Sequence, residues 1–207
     1  MRRGRTLIGK VYGFMVRWGN KKIGKDTFIF NITPATFCRS LELGFCQLPN
    51  PNECFAKIAE QMFPQTLPFR ARQTLLWDKL KPIQIFGDLM SLAFNRKISY
   101  LRFSESGDFR HQNDVDKMSL LGELLCNSLR VYGYTARRDL DFSGVDDNVV
   151  INGSGFMVHN AFIAVDKIPK NAKYVCCGDC AKCNYCKERG HKTIYEKIRK
   201  RGGWRKK

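Results

Sequence analysis

Long hydrophobic runs are missing from this chain. Its longest greasy stretches, Ile83 to Phe86 and Phe162 to Val165, have the length of core strands, far short of the roughly 18 apolar residues of a membrane span. No membrane partner is expected. Met1 is followed by Arg2, Arg3 and Arg5 with no apolar signal-peptide core behind them, so the expected setting is intracellular and not secreted. Acidic charge is scarce too: 19 Asp and Glu face 36 Lys and Arg, a formal net charge of +17. Such a field favours polyanions, nucleic acid ahead of membrane phosphate. Histidine is limited to His111, His159 and His191, too dispersed for a histidine metal motif. No internal repeat is visible.

What the chain has in abundance is clustered cysteine. Five of its nine cysteines lie between Cys176 and Cys186, and Cys177, Cys180, Cys183 and Cys186 form an unbroken C-x2-C-x2-C-x2-C ladder. A thiolate returned every third residue brings several sulfurs to one point, about 2.3 Å from a metal. An iron-sulfur cluster suits that pattern better than zinc, because zinc usually takes two C-x2-C knuckles from opposite sides of a longer loop. If the metal were zinc, His191, five residues past Cys186, would be an additional candidate ligand. Disulfides are the competing reading, and the intracellular expectation argues against them.

Cys38, Cys46 and Cys54 form a second set, C-x7-C-x7-C. Three cysteines suit a four-iron cluster with one open iron, or they combine with the ladder in one site that staples the two ends of the fold. A purely structural metal is the plainer alternative. Cys126, in a helical stretch, reads as a core thiol.

The 207 residues, 43% of them hydrophobic, suffice for one substantial core. Residues 1–25 read as a basic arm with a short strand over Val11 to Val16, residues 26–175 as an α/β core, and residues 176–207 as a metal-binding segment with a basic tail. Thr27 to Ile32 is aromatic and β-branched and reads as a buried strand ended by Pro34. Helices are expected over Cys54 to Met62, with an apolar stripe of Phe55, Ile58, Ala59 and Met62, over Arg70 to Leu80, and over Phe86 to Phe94. Ser99 to Phe103 reads as a strand running into the polar turn Ser104 to Asp108. The clearest helix is capped by Asn113 or Asp114, with Val115, Met118, Leu121, Leu125 and Leu129 as its stripe. Further strands are expected at Val131 to Thr135, at Asn148 to Ile151 before Asn152-Gly153-Ser154-Gly155, and at Ala161 to Val165. Strand, polar loop and helix recur in order, so the expected fold is α/β: a partial (βα) barrel or an open, mostly parallel sheet, with its loops gathered at the carboxyl ends of the strands.

Glu105 and Asp108 are candidates for an acid/base pair, although two carboxylates in a strand-end turn are more often a turn device. Arg70, Arg72, Arg137 and Arg138 are candidate phosphate contacts. In the tail, Arg199, Arg201 and Arg205 would track a phosphate backbone while Trp204 stacks on a base; a solvated basic tail is the competing reading.

Several segments together resemble the phage gene product 88 family: Gly19-Asn20-Lys21-Lys22-Ile23-Gly24-Lys25, the spaced cysteines ending in Cys54-Phe55-Ala56-Lys57, Arg102 to Phe109, Tyr134-Thr135-Ala136-Arg137, and the ladder. The resemblance spans most of the chain and implies a phage origin, hence the host cytoplasm, more than a reaction. The ladder is also similar to the cysteine run of bacterial ferredoxins, except that the last gap is two residues and Lys187, not proline, follows the fourth cysteine.

A looser likeness concerns radical S-adenosylmethionine enzymes. There, three cysteines after the first barrel strand hold a [4Fe-4S] cluster, and a polar turn after the second strand receives the cofactor. Here C-x7-C-x7-C replaces the usual C-x3-C-x2-C. The likeness implies S-adenosylmethionine as cofactor, with Ser104, Glu105, Ser106, Gly107, Asp108, Asn152 and Ser154 as its contacts. It also implies a cluster on Cys38, Cys46 and Cys54 that reduces the sulfonium to yield a carbon radical, and an auxiliary cluster on the ladder.

Overall fold

Among the described residues, seven strands run parallel and one runs antiparallel in a single open sheet. The computed structural model describes residues 15–47, 51–94 and 96–198. The strands are β1 (Arg17–Trp18), β2 (Thr27–Phe30), β3 (Tyr100–Phe103), β4 (Arg130–Thr135), β5 (Val149–Ser154), β6 (Asn160–Val165), β7 (Tyr174–Val175) and β8 (Thr193–Lys197). Their spatial order is β1-β2-β3-β4-β5-β6-β8-β7, and only the β1 to β2 pairing is antiparallel. From β2 to β6 the spatial order is the chain order, which right-handed crossovers produce when they all return over one face.

The helices are α1 (Arg39–Glu42), α2 (Phe55–Met62), α3 (Thr66–Lys79), α4 (Pro82–Ala93) and α5 (Gln112–Leu124). Strand alternation aims Phe28, Phe30, Leu101, Phe103, Val131, Val149 and Ile151 at Trp77, Ile85, Leu89, Val115, Met118 and Leu121 of α3, α4 and α5. Trp77 is central, its ring 5.8 Å from that of Phe30 and 5.4 Å from that of Phe103. The opposite face is polar: Arg102, Tyr132, Tyr134, Asn152 and Asn160 alternate with the core residues there.

Several expectations meet a correction. The expected strand at Val11 to Val16 lies mostly outside the described residues, and the pairing seen is at Arg17–Trp18. Pro82 does end α3, and it then serves as the first residue of α4. Asp114 does not cap α5 from its N-cap position; His111 stands there, and Asp114 turns inward to accept the indole N–H of Trp77 at 2.8 Å and the Arg110 guanidinium. Helix α5 stops at Leu124, so Cys126 falls in the following turn and is exposed, not a core thiol. In α2 the expected stripe is reversed: Phe55 and Met62 are exposed, while Ala56 and Glu60 are buried. The strand read as ending at Ile151 continues to Ser154, because Asn152 finds partners in mid-sheet and a Cβ at Gly153 would meet the Phe156 carbonyl at 2.3 Å.

Strands β7 and β8 were not expected from the pattern. Strand β8 inserts between β6 and β7, so the cysteine ladder is a connection between two strands of the same sheet. Among the described residues no helix is long and apolar enough to cross a membrane.

Candidate metal centre

The ladder lies against the polar face of the sheet. Three successive carbonyls at its end are captured by side chains from three strands: Asn152 Nδ2 donates to the Cys186 oxygen (2.9 Å), Arg130 Nε to that of Lys187 (2.9 Å), and Asn160 Nδ2 to that of Glu188 (2.9 Å). Asn160 Nδ2 also donates to Asn152 Oδ1 at 3.1 Å, which orients the Asn152 amide. At the other side, the Ala181 N–H donates to the Lys22 carbonyl in the turn before β2. Lys187 is buried, with Nζ 4.0 Å from the centre of the Tyr100 ring.

This strapping leaves a cavity of about 30 Å³ lined by Cys176, Cys177, Cys180, Cys183 and Cys186, with Tyr132, Tyr134 and Ile194 as its wall on the sheet. Cys176 therefore joins the four ladder cysteines. Burial pushes the Cys186 thiol up to about 12; the Tyr134 hydroxyl, which donates to its sulfur, works the other way, and the nearby Cys176, Cys180 and Cys183 raise it further. Burial likewise raises Cys183, with Cys177 and Cys180 adding to it.

Backbone N–H groups point at several of these sulfurs. That of Asp179 reaches Cys177 Sγ at 3.5 Å, with Gly178 at φ +74° making the turn. The N–H groups of Gly178 and Tyr185 serve Cys176 and Cys183 in the same two-residue step. Donors held against sulfur favour the thiolate, the form that binds metal.

The second set lies in the loop after β2. The Cys38 sulfur receives the N–H groups of Leu41 and Ser40, yet burial first and Asp108 second push its thiol up to about 12, with a further rise from Cys46. Cys54 is the N-cap residue of α2. Among the described residues no three His, Cys, Asp or Glu side chains are placed to hold one ion between them. The donor chemistry fits a thiolate-bound metal at the ladder: five sulfurs on one cavity, N–H donors on three, and a tyrosine hydroxyl on a fourth.

Asp108 organises the mouth of the sheet. Its carboxylate accepts Ser40 Oγ (2.5 Å), Thr135 Oγ1 (2.7 Å) and the N–H groups of Ala136 (2.7 Å) and Phe109 (2.8 Å), joining the loops after β2, β3 and β4. Burial raises its pKa despite those four donors. Gly107 stands at φ +70°, and a Cβ there would meet the Thr33 carbonyl at 2.2 Å, so only glycine lets these loops close. Ser106 donates its hydroxyl to Glu60 and its N–H to Asn31 Oδ1. Glu105 is half-buried, 3.9 Å from Arg17. Ser154 Oγ accepts Gln47 Nε2 at 2.7 Å, which docks the loop after Cys46 onto the end of β5.

The arginines divide. Arg70 is buried, donating to Glu60 (2.8 Å) and to the Ala56 carbonyl (2.9 Å). Arg137 is buried, donating to Asp139 and to the carbonyls of Phe109 and Arg110. Arg72 and Arg138 are exposed, the latter 5.4 Å from the Phe45 ring. Arg199, Arg201, Trp204 and Arg205 lie outside the described residues. Sequence reasoning left Tyr132, Tyr134 and Lys187 out of the site; the period-2 alternation of β4, which puts both tyrosines on the face away from the helices, was the available signal. Comparison with family models, with curated proteins and with solved structures gives no match.

Proposed function

We propose that the chain is a metal-thiolate protein of the iron-sulfur type, laid out as a partial barrel like radical S-adenosylmethionine enzymes, and that it acts on nucleic acid or a bound small molecule. The observation that carries the reading is the convergence of five cysteines on one cavity at the polar face of a parallel sheet. The order of parts supports the enzymatic form: Cys38 follows the first parallel strand, the Ser104 to Asp108 turn follows the second, and the ladder comes later in the chain, between β7 and β8. The resemblance to the phage gene product 88 family accompanies this reading without adding a reaction.

Bound iron-sulfur centres would supply one-electron chemistry. The chain's own residues do the rest. Asp108 fixes the three loops around Cys38, Gln47 pins the Cys46 loop to Ser154, and Tyr134 holds a proton toward Cys186. The cavity as it stands has room for one or two water-sized bodies, so a four-iron cluster requires the ladder to open, and a single ion requires the cysteines to draw together, since among the described residues no three donors yet surround one point.

A second reading, a noncatalytic nucleic-acid binder with structural zinc, draws on the net charge of +17 and on exposed Arg72 and Arg138. Anaerobic purification followed by iron, sulfide and zinc analysis separates the two, with electron-spin spectra of the reduced protein taken before and after S-adenosylmethionine. Iron with labile sulfide and a cofactor-dependent change in the signal is the expected result. Stoichiometric zinc in a colourless protein refutes the enzyme reading and leaves the binder.

A further inference from the structure

Three buried side-chain atoms among the described residues have no hydrogen-bond partner: Arg102 Nε, Ser104 Oγ and Tyr132 OH. Buried polar atoms are paired in the great majority of cases, so each exception asks for a partner from outside the chain. Tyr132 faces the cysteine cavity. Arg102 and Ser104 differ: they stand two residues apart at the carboxyl end of β3, where parallel sheets take their ligands. Ser104 is held at φ +55°, in the left-handed region that a serine seldom occupies.

We infer that this strand end is an oxyanion site, with the Arg102 guanidinium and the Ser104 hydroxyl donating to a carboxylate or phosphate group of a small-molecule ligand. Arginine offers five donors and accepts nothing, and its planar fork matches two oxygens of an oxyanion. Glu105 is the carboxylate within electrostatic reach of Arg102, and it faces Arg17. Arg102 also has the Tyr134 ring at 5.4 Å and Cys180 within electrostatic reach. The site does not depend on which metal the ladder takes.

The test is a titration of full-length, metal-loaded, 15N-labelled protein with inorganic phosphate and, separately, with acetate at constant ionic strength set by chloride. The readout is the Nε–Hε resonance of Arg102, assigned by its loss in Arg102→Lys. A saturable shift with either anion is expected, weakened several-fold in Ser104→Ala. Response to phosphate alone identifies a phosphoryl ligand, and response to acetate alone a carboxylate. No saturable shift with either anion overturns the proposal. If, in addition, Arg102→Lys loses its metal, the guanidinium is the counter-charge of the ladder instead.

Discussion

The Tyr134 hydroxyl donates to the sulfur of Cys186, and the two residues come from opposite walls of one cavity. Burial raises the tyrosine well above its ordinary value, so its proton stays available for that bond at any physiological pH. Removing the hydroxyl with Tyr134→Phe leaves the ring, and its edge contact with Phe162 at 5.2 Å, in place. Groups that hydrogen-bond to a metal ligand typically contribute 10- to 100-fold in affinity. Chelator competition on the Phe variant should therefore show metal held about ten-fold less tightly, with the thermal midpoint of the metal-free protein nearly unchanged. Equal metal retention would show that the hydroxyl does not support Cys186 as a ligand.

Glu60 and Arg70 form an ion pair with side chains only 1% and 4% exposed. Burial tends to raise the Glu60 pKa, but donors from Arg70, Thr36 and the backbone N–H groups of Ala35 and Thr36 outweigh it and hold it below the ordinary range. Breaking a buried pair by removing one partner costs about 3–5 kcal/mol. Arg70→Met should lose that much in urea unfolding. Adding Glu60→Leu should not restore it, because the Ala35 and Thr36 N–H groups would then be orphaned. Full recovery in the double variant would show that Glu60 serves Arg70 alone.

That pair also shows why the sequence was legible in some places and not in others. The Thr27–Phe30 strand and the Val115, Met118, Leu121 stripe declare themselves by local pattern, and both are buried as expected. In α2 the apolar periodicity pointed to Phe55 and Met62, yet the helix turns Glu60 inward to meet Arg70 ten residues on and the backbone 25 residues back. A tertiary partner overrode the local pattern, and no local pattern announces such a partner. Arg70 and Arg137 read as phosphate contacts for the same reason: an arginine looks alike in sequence whether its acceptor is a ligand or a distant carbonyl. Strand β8 was hidden because only Ile194 of Thr193–Lys197 is fully buried, among flanking charges. The ladder needed no tertiary knowledge, since its spacing is local; the tyrosines and asparagines that receive it are long-range and were not visible.

His159 supplies a pH signature outside the cysteine region. Its Nδ1 accepts the Ile151 N–H at 2.9 Å, which requires the neutral ring. Burial first, then Arg189 and His191, push it from 6.5 down to about 4, against a smaller opposing pull from Asp147. The unfolded chain takes up this proton near 6.5 and the folded chain only near 4, so the unfolded state binds more protons between those values. The contribution is complete above pH 6.5, drains away as pH falls toward about 4, and changes no further below that. Urea midpoints measured across this window should fall more steeply with acidification in the natural protein than in His159→Asn, whose amide oxygen can accept the same N–H. Parallel curves would show that the ring titrates alike in both states.

The basic tail gives the sharpest test of the nucleic-acid reading, because charge alone makes a quantitative demand. Residues 199–207 carry six Lys and Arg: Arg199, Lys200, Arg201, Arg205, Lys206 and Lys207. Each phosphate neutralised by a bound cation contributes about 0.9 to the slope of log affinity against log salt on duplex nucleic acid. Truncation after Ile198 should therefore weaken binding and flatten the slope by about 0.9 for every contact the tail makes. The truncation keeps the Ile198 N–H bond to the Val165 carbonyl, so the edge of the sheet stays intact. Replacing the exposed pair Arg72 and Arg138 with Gln in the full-length chain is the companion experiment, and a further drop in slope there would place the duplex against the folded core. An unchanged slope after truncation would mean that the tail is a solvated extension and that any polyanion is held elsewhere.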